Sequence, residues 1–321
     1  MKFIDLFCGI GGFRIAFESV GGECVFSSDI DKYACETYRA NFNEYPLNDI
    51  TKINEKELPD FDILCAGFPC QPFSIGGLRK GFHDTRGTLF YDIERILREK
   101  KPKAFILENV KGLANHDKGK TLEVIINKLS KRVNYQQNES KSNDCLNYDV
   151  HYRVINSKQF GVPQNRERIY IIGFEKNTNF QFPKINKEKK ITDIIDSSLE
   201  KNTISEILEK NIKTHLEQHK KYSEIKDLEY LLAYEVRKSR CAFRFDNLSP
   251  TLTAKMGTGG NNVPVLINHK RKLSTNECLR IQGYPKNFKI KPNYSQSYKQ
   301  IGNSVSVPVI KALAKEIVKF I

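Results

Sequence analysis

The chain has 321 residues, with 52 Lys and Arg against 38 Asp and Glu, and a formal net charge of +14. This length suits one large domain with a smaller one. The basic excess favours a polyanionic partner, with nucleic acid the first candidate, over an acidic small molecule, although a solvated basic surface would give the same charge.

The eight cysteines contain no CxxC pair and no Cys/His cluster at zinc spacing, which predicts free thiols and no metal site. The pair His215 and His219 has no third ligand nearby. The first residues lack the pattern of a signal peptide, and no stretch approaches the ~18 apolar residues of a membrane span. We therefore expect a cytoplasmic protein that binds no membrane and keeps its thiols reduced.

Short apolar runs alternate with helix-period segments through the first half of the chain. Strands are predicted at residues 2–7, 23–28, 61–66 and 104–107, with a hairpin at 151–155 and 168–174. Amphipathic helices are predicted around 89–97 and 122–129, and another ends the sequence. From about residue 176 the pattern becomes irregular. The prediction is an α/β fold with a doubly wound, mostly parallel sheet and a smaller irregular domain.

Ligands of open parallel sheets bind outside the carboxyl ends of the strands. The first strand leads into DLFCGIGGF, where Gly9, Gly11 and Gly12 permit a tight turn and close approach of a ligand. Asp29 ends the second strand, where a carboxylate can accept hydrogen bonds from ribose hydroxyls. The two strand ends together favour an adenosine-containing cofactor, while the glycines alone could form an ordinary turn.

Two further strand ends carry reactive groups. The third strand leads into GFPCQPFS, which contains Cys70, and the fourth leads into ENV, which contains Glu108. A buried cysteine and a capping carboxylate are the alternative interpretations. Beside a nucleoside cofactor, however, a thiol and a carboxylate supply a nucleophile and an acid.

The ordered set DLFCGIGGF, GFPCQPFS, RGTLF, ENV, QNRER and GNSVSVPV resembles the DNA (cytosine-5)-methyltransferases, most closely the compact bacterial modification enzymes. The resemblance implies the S-adenosylmethionine-dependent methyltransferase fold. It also implies a catalytic and cofactor-binding domain at 1–185, a target-recognition domain at 186–290, and a segment at 291–321 that returns to the catalytic domain. A monomer acting on double-stranded DNA is expected, with a restriction endonuclease as counterpart without stable binding.

The resemblance also assigns residues. Those that would bind S-adenosylmethionine and its product S-adenosylhomocysteine are Phe7, Gly9, Gly11, Gly12, Asp29, Ile30, Asp49, Ile50, Leu89, Asn303 and Ser304. Ile30 departs from the aromatic residue that the family often has at this position. The catalytic residues would be Cys70, Glu108, Arg166 and Arg168. The DNA-binding residues would be Gln71, Ser74, Arg86, Thr251, Leu252, Gly257, Lys270 and Lys272.

The implied chemistry requires these groups because carbon 5 of cytosine is a poor nucleophile. Addition of the Cys70 thiolate at carbon 6 makes carbon 5 reactive. Protonated Glu108 would donate to ring nitrogen 3 and Arg168 to the ring oxygen. The cytosine must first be flipped out of the duplex. The sequence does not identify the base that removes the carbon 5 proton.

Three other functions stay open at this stage. A transfer-RNA cytosine-5 methyltransferase would share Cys70 and Glu108, and a catalytically inactive DNA-binding regulator would share the basic charge. A thiol oxidoreductase could use Cys65 and Cys70, although their spacing is not CxxC. The polar stretch at residues 135–148 is about ten residues longer than the turn expected there, and departs from the family pattern.

Overall fold

The computed structural model describes residues 1–69, 89–130, 145–196, 203–259, 261–291 and 293–321. Its larger sheet has the strand order β2-β1-β3-β4-β6-β5. The strands are β1 Lys2–Leu6, β2 Glu23–Ser28, β3 Ile63–Gly67, β4 Ala104–Val110, β5 Asp149–Asn156 and β6 Glu167–Phe174. The first four are parallel, and β6 runs antiparallel to both β4 and β5. The predicted mostly parallel sheet and the hairpin are confirmed.

The helices of the described part are α1 Gly12–Glu18, α2 Lys32–Phe42, α3 Leu89–Lys100, α4 Lys120–Leu129, α5 Glu206–Glu217, α6 Tyr222–Ile225, α7 Thr275–Ile281, α8 Tyr294–Asn303 and α9 Val307–Ile317. Apolar side chains of α1 and α9 share one core with Phe3 of β1. Those of α3 and α4 share another core with Ile4 of the same strand. Because successive strand residues point to opposite faces, the sheet buries both faces under helices.

A smaller antiparallel sheet lies in the second half of the chain, with the strand order β10-β9-β7-β8. Its strands are β7 Leu232–Tyr234, β8 Ala242–Arg244, β9 Val265–Leu266 and β10 Arg271–Lys272. Beside it, Arg271 and Glu277 form a buried ion pair through contacts of 2.8 and 2.9 Å. Removing one partner of such a pair would leave a buried charge, so the pair fixes β10 against α7.

Among the described helices, none combines the length and the apolar character needed to cross a membrane.

Candidate active site and cofactor pocket

The segment between β1 and α1 is a tight turn that needs its glycines. Gly9 and Gly11 have φ of 54° and 84°, in the left-handed region that L side chains avoid. A Cβ atom on Gly11 would lie 2.3 Å from Phe42 Cε2. A Cβ atom on Gly12 would lie 2.5 Å from Val305 Cγ2. The tight turn that the sequence predicts between β1 and α1 is therefore present.

Asp29 links this turn to the end of β2. Its Oδ2 accepts a hydrogen bond of 2.7 Å from the N–H of Gly9, and its Oδ1 accepts one of 2.8 Å from the N–H of Asp31. Burial raises the pKa of Asp29 above its ordinary value. The two bonds fix the carboxylate beside the turn, where it keeps acceptor capacity for hydroxyl groups of a ligand.

The neighbouring residue Ile30 exposes 73% of its surface. Backbone hydrogen bonds between Asp29 and residues 46 and 48 draw the following loop alongside β2. In that loop, Asp49 caps a short 3-10 helix through Thr51, whose hydroxyl and N–H both lower the pKa of Asp49. Ile50 is buried against the core. An apolar surface beside a fixed carboxylate fits the adenosine half of the expected cofactor.

Leu89, Asn303 and Ser304 belong to elements that come later in the chain. Leu89 begins α3 and is partly buried, while Asn303 is the exposed final residue of α8. The Ser304 hydroxyl donates to the carbonyl of Ile301 at 2.7 Å, so it ends α8.

Glu108 and Arg168 meet on neighbouring strands. The Arg168 Nε lies 3.2 Å from Glu108 Oε1, and both side chains are largely buried. That contact lacks hydrogen-bond geometry, so within the described ranges Oε1 has no hydrogen-bond partner. The β3–β4 register pairs Glu108 with Gly67, and a Cβ on Gly67 would lie 3.8 Å from Glu108 Oε2. The carboxylate thus faces the end of β3, with one buried oxygen open to a donor.

Glu108 lies within β4, which extends to Val110 and is three residues longer than predicted. The next residue, Asn109, is buried, and its side-chain amide donates to the carbonyl of Phe68 at 3.0 Å. The sequence alone indicates no role for Asn109, although it stands in the ENV motif. It fixes the chain two residues before Cys70.

Arg166 makes contacts of a different kind from those of Arg168. Its buried guanidinium donates to the carbonyls of Leu252 at 2.7 Å and Ser304 at 2.8 Å, with Gly302 at longer range. Burial and the nearby Arg168 charge lower the pKa of Arg166 to about 9. The side chain joins three chain segments, while its buried Nε has no hydrogen-bond partner among the described residues. The catalytic role expected for Arg166 stays a prediction.

The residues predicted to contact DNA have different surroundings. Cys70 and three of these residues, Gln71, Ser74 and Arg86, lie outside the described residues. Leu252 is buried, and its N–H donates to Gln164 Oε1 at 3.0 Å, so its side chain contributes to packing. The Thr251 hydroxyl donates to the carbonyl of Asn165 at 2.7 Å.

Lys270, in the turn before β10, and Lys272, in β10, differ in their exposure. Lys270 is 67% exposed and pairs with Glu209 at 2.7 Å. Lys272 is partly buried, which lowers its pKa, and it lines a cavity of about 420 Å³ together with Gly257. A Cβ on Gly257 would lie 2.3 Å from the Ser295 carbonyl oxygen, because this loop packs directly on α8.

Cys65 lies in β3 and is fully buried, and burial raises the pKa of its thiol well above the ordinary value. A thiolate is the reactive form of cysteine. The site therefore gives no support to a redox pair of Cys65 with Cys70.

Comparison with known proteins gives a consistent result. The family profile described as C-5 cytosine-specific DNA methylase matches residues 1–319. The chain is 44% identical over 329 residues to the type II methyltransferase M.HhaI of Haemophilus parahaemolyticus, covering 99% of this chain and 94% of the relative. It is 44% identical over 321 residues to M.HaeII of Haemophilus aegyptius, covering 98% and 91%. In fold, it is similar to the Dnmt2 methyltransferase of S. pombe, with a TM-score of 0.70 at 17% identity over 99% and 98% of the two chains.

Proposed function

Because the chain belongs to the C-5 cytosine-specific DNA methylase family, we propose that it transfers a methyl group from S-adenosylmethionine to carbon 5 of a flipped-out cytosine in double-stranded DNA. The observation that carries this proposal is the buried Glu108 carboxylate, which lies beside Arg168 and faces the end of the strand that leads to Cys70. A fold alone hosts many activities, so the site has to support the function.

The cofactor would lie across the ends of β1 and β2. Asp29 would accept hydrogen bonds from the ribose hydroxyls, and the exposed face of Ile30 would cover the adenine together with Asp49 and the edge of Ile50. The glycine turn and Phe7 would hold the methionine end, and Leu89, Asn303 and Ser304 would complete the pocket. When bound, S-adenosylmethionine supplies an electrophilic methyl group.

At the reacting base, the Cys70 thiolate would add to carbon 6 of cytosine and make carbon 5 nucleophilic. Glu108, in its protonated form, would donate to ring nitrogen 3. Arg168 would donate to the ring oxygen, and the two donors together would stabilise the negative charge that enters the ring. Their positions on adjacent β-strands fix them before the base arrives. Loss of the carbon 5 proton to a base and elimination of Cys70 would complete the reaction.

DNA would be read by the unit at 186–290 and held by basic groups, which is in keeping with the net charge of +14. Residues 1–185 would bind the cofactor and carry out catalysis, and 291–321 would close the catalytic unit. Relatives at 44% identity are type II methyltransferases, which supports a role in restriction-modification, with DNA protected against an endonuclease that need not bind this chain. We further propose a cytoplasmic monomer.

The test is a duplex with 5-fluorocytosine at the target position, incubated with the protein and S-adenosylmethionine. Fluorine cannot leave as a proton does, so the expected result is a protein–DNA complex that survives a denaturing gel. The same duplex with ordinary cytosine should give methylated DNA and no such complex. Absence of the complex from a duplex that the protein binds would contradict the covalent step. Methylation of transfer RNA in place of duplex DNA would favour the transfer-RNA alternative.

A further inference from the structure

We propose that Lys299, on α8, is a positioning residue that aligns the two halves of the cofactor site. One half follows β2 and contains Asp29; the other is Asn303, at the end of α8, more than 270 residues later in the chain. This inference rests on the proposed function, because it takes Asp29 and Asn303 as ligands of S-adenosylmethionine.

A continuous series of contacts connects Lys299 to the glycine turn. The Lys299 Nζ lies 2.9 Å from Asp31 Oδ2, in an ion pair that is only partly exposed. The Asp31 N–H donates to Asp29 Oδ1 at 2.8 Å, and Asp29 Oδ2 accepts from the Gly9 N–H at 2.7 Å. A displacement of Asp31 would therefore reach the carboxylate that is proposed to bind the ribose.

Lys299 also fixes the direction of Asn303. The two residues are four positions apart in α8, so their side chains lie on the same face of the helix. The next residue of the helix, Gln300, accepts a buried hydrogen bond of 2.8 Å from the Thr37 hydroxyl of α2. This second contact holds α8 against α2, and the Lys299–Asp31 pair orients the helix face that carries Asn303.

The charge of Lys299 has a separate effect. Asp29 and Asp31 are close in the chain, and the backbone N–H of Asp31 donates to the carboxylate of Asp29. Burial alone would raise the pKa of Asp31, but the ion pair with Lys299 lowers it below the ordinary value. The ammonium group also offsets the negative charge of Asp31. Without the ammonium group, the unpaired Asp31 carboxylate would repel Asp29 at the position where a ribose has to approach.

An ordinary ion pair between helices would also explain the contact, and such pairs contribute little to stability. The two explanations differ in what a substitution changes. A stabilising pair affects thermal stability, while a positioning residue affects cofactor binding and the KM for S-adenosylmethionine with kcat unchanged.

The experiment measures binding of S-adenosylhomocysteine to the full chain by calorimetry, and methylation kinetics in parallel. Lys299→Met should raise the Kd of S-adenosylhomocysteine and the KM of S-adenosylmethionine about fivefold. The kcat and the methylated sequence should stay as in the wild type. Lys299→Arg should keep this Kd and this KM at their wild-type values, because arginine keeps the positive charge.

Two further variants control for folding and for loss of charge. Asp31→Asn keeps the cap of α2, because asparagine caps helices as well as aspartate. It should weaken binding, but less than Lys299→Met does, because it removes the ion pair without leaving an unpaired carboxylate beside Asp29. The double variant should be no worse than Lys299→Met alone. Lys319→Met removes another exposed ion pair, to Glu316 at 2.7 Å, and should leave the Kd unchanged.

An unchanged Kd in a folded Lys299→Met or Asp31→Asn variant would overturn the inference, as would an equal rise in Lys319→Met. A wild-type chain that does not bind S-adenosylhomocysteine would overturn the proposed function instead.

Discussion

The two sheets hold their functional residues in different ways. In the six-stranded sheet, Asp29 and Glu108 stand at or near the carboxyl ends of strands, where backbone pairing determines their position. In the four-stranded sheet the strands have only two or three residues, and the candidate reading residues lie in the connections. There Asn262 holds the loop together, because its amide donates to the carbonyls of Lys255 and Gly259 and its oxygen accepts from Arg237.

This difference suggests that chemistry depends on backbone topology, while target choice depends on loops tied by a few side chains. A substitution in the first region should change the rate of methylation and leave the target sequence unchanged. One in the second region should change the target sequence and leave cofactor binding unchanged.

The largest effect is expected for Cys70→Ser, since a hydroxyl is a far weaker nucleophile than a thiolate at neutral pH. Methyl transfer should fall by at least about 10³-fold, with binding of DNA and S-adenosylhomocysteine kept. Transfer of a radiolabelled methyl group to duplex DNA measures it. Cys145→Ser, at a partly exposed cysteine four residues before β5, should keep full activity. Substantial turnover by Cys70→Ser would exclude the covalent mechanism.

The next largest effect is expected for Glu108→Gln, which keeps the shape of the side chain but removes the acid. The single-turnover rate should fall about 10²- to 10³-fold, because one donor to the developing charge is lost. Glu316→Gln, at an exposed ion pair, serves as the control. Retention of the wild-type rate by Glu108→Gln would mean that the carboxylate serves only to pair with Arg168.

A smaller effect, and of a different kind, is expected for Asn262→Ala. The loop would lose three hydrogen bonds, so discrimination against near-cognate sequences should fall about 10- to 100-fold. Bisulfite sequencing of exposed DNA detects this change, and the Kd of S-adenosylhomocysteine should not move. Asn268→Ala removes an amide of the same type that donates to Leu228, and should leave site choice as it is. If discrimination is unchanged in Asn262→Ala, this loop does not read the sequence.

The smallest effects are expected for the two lysines near β10. Lys272→Met should weaken binding to all sequences about two- to fivefold and reduce the salt slope by about 1, as loss of one phosphate contact does. Lys270→Met should have less effect, because Lys270 already pairs with Glu209. Binding measured at several salt concentrations tests both. A change of methylated sequence in either variant would reverse the assigned roles of loop and lysines.

Much of the larger sheet could be predicted from sequence. Strands buried on both faces appear in the sequence as short apolar runs, and all six strands, the hairpin included, are found where expected. The family, the fold and the enzyme class predicted from the ordered motifs are confirmed. The four strands of the smaller sheet were not predicted, since strands of two or three residues show no periodicity.

The positions of the site residues were only partly predictable. The place of Glu108 follows from the strand order, because parallel strands end at one edge of a sheet. The buried contacts of the Arg166 side chain could not be predicted in this way, because the carbonyls to which it donates lie 86 and 138 residues later in the chain. The contact of Lys299 with Asp31 spans 268 residues, and no local pattern indicates it.

Helix α9 follows the small unit in the chain, yet its side chains share a core with α1 and β1. A ribosome delivers α9 only after every residue that would read DNA has been made. Until then, the face of the sheet that α9 covers is exposed to water. The core that contains β1 and α1 is thus completed after the small unit in the order of synthesis, although its first strand is the first element made.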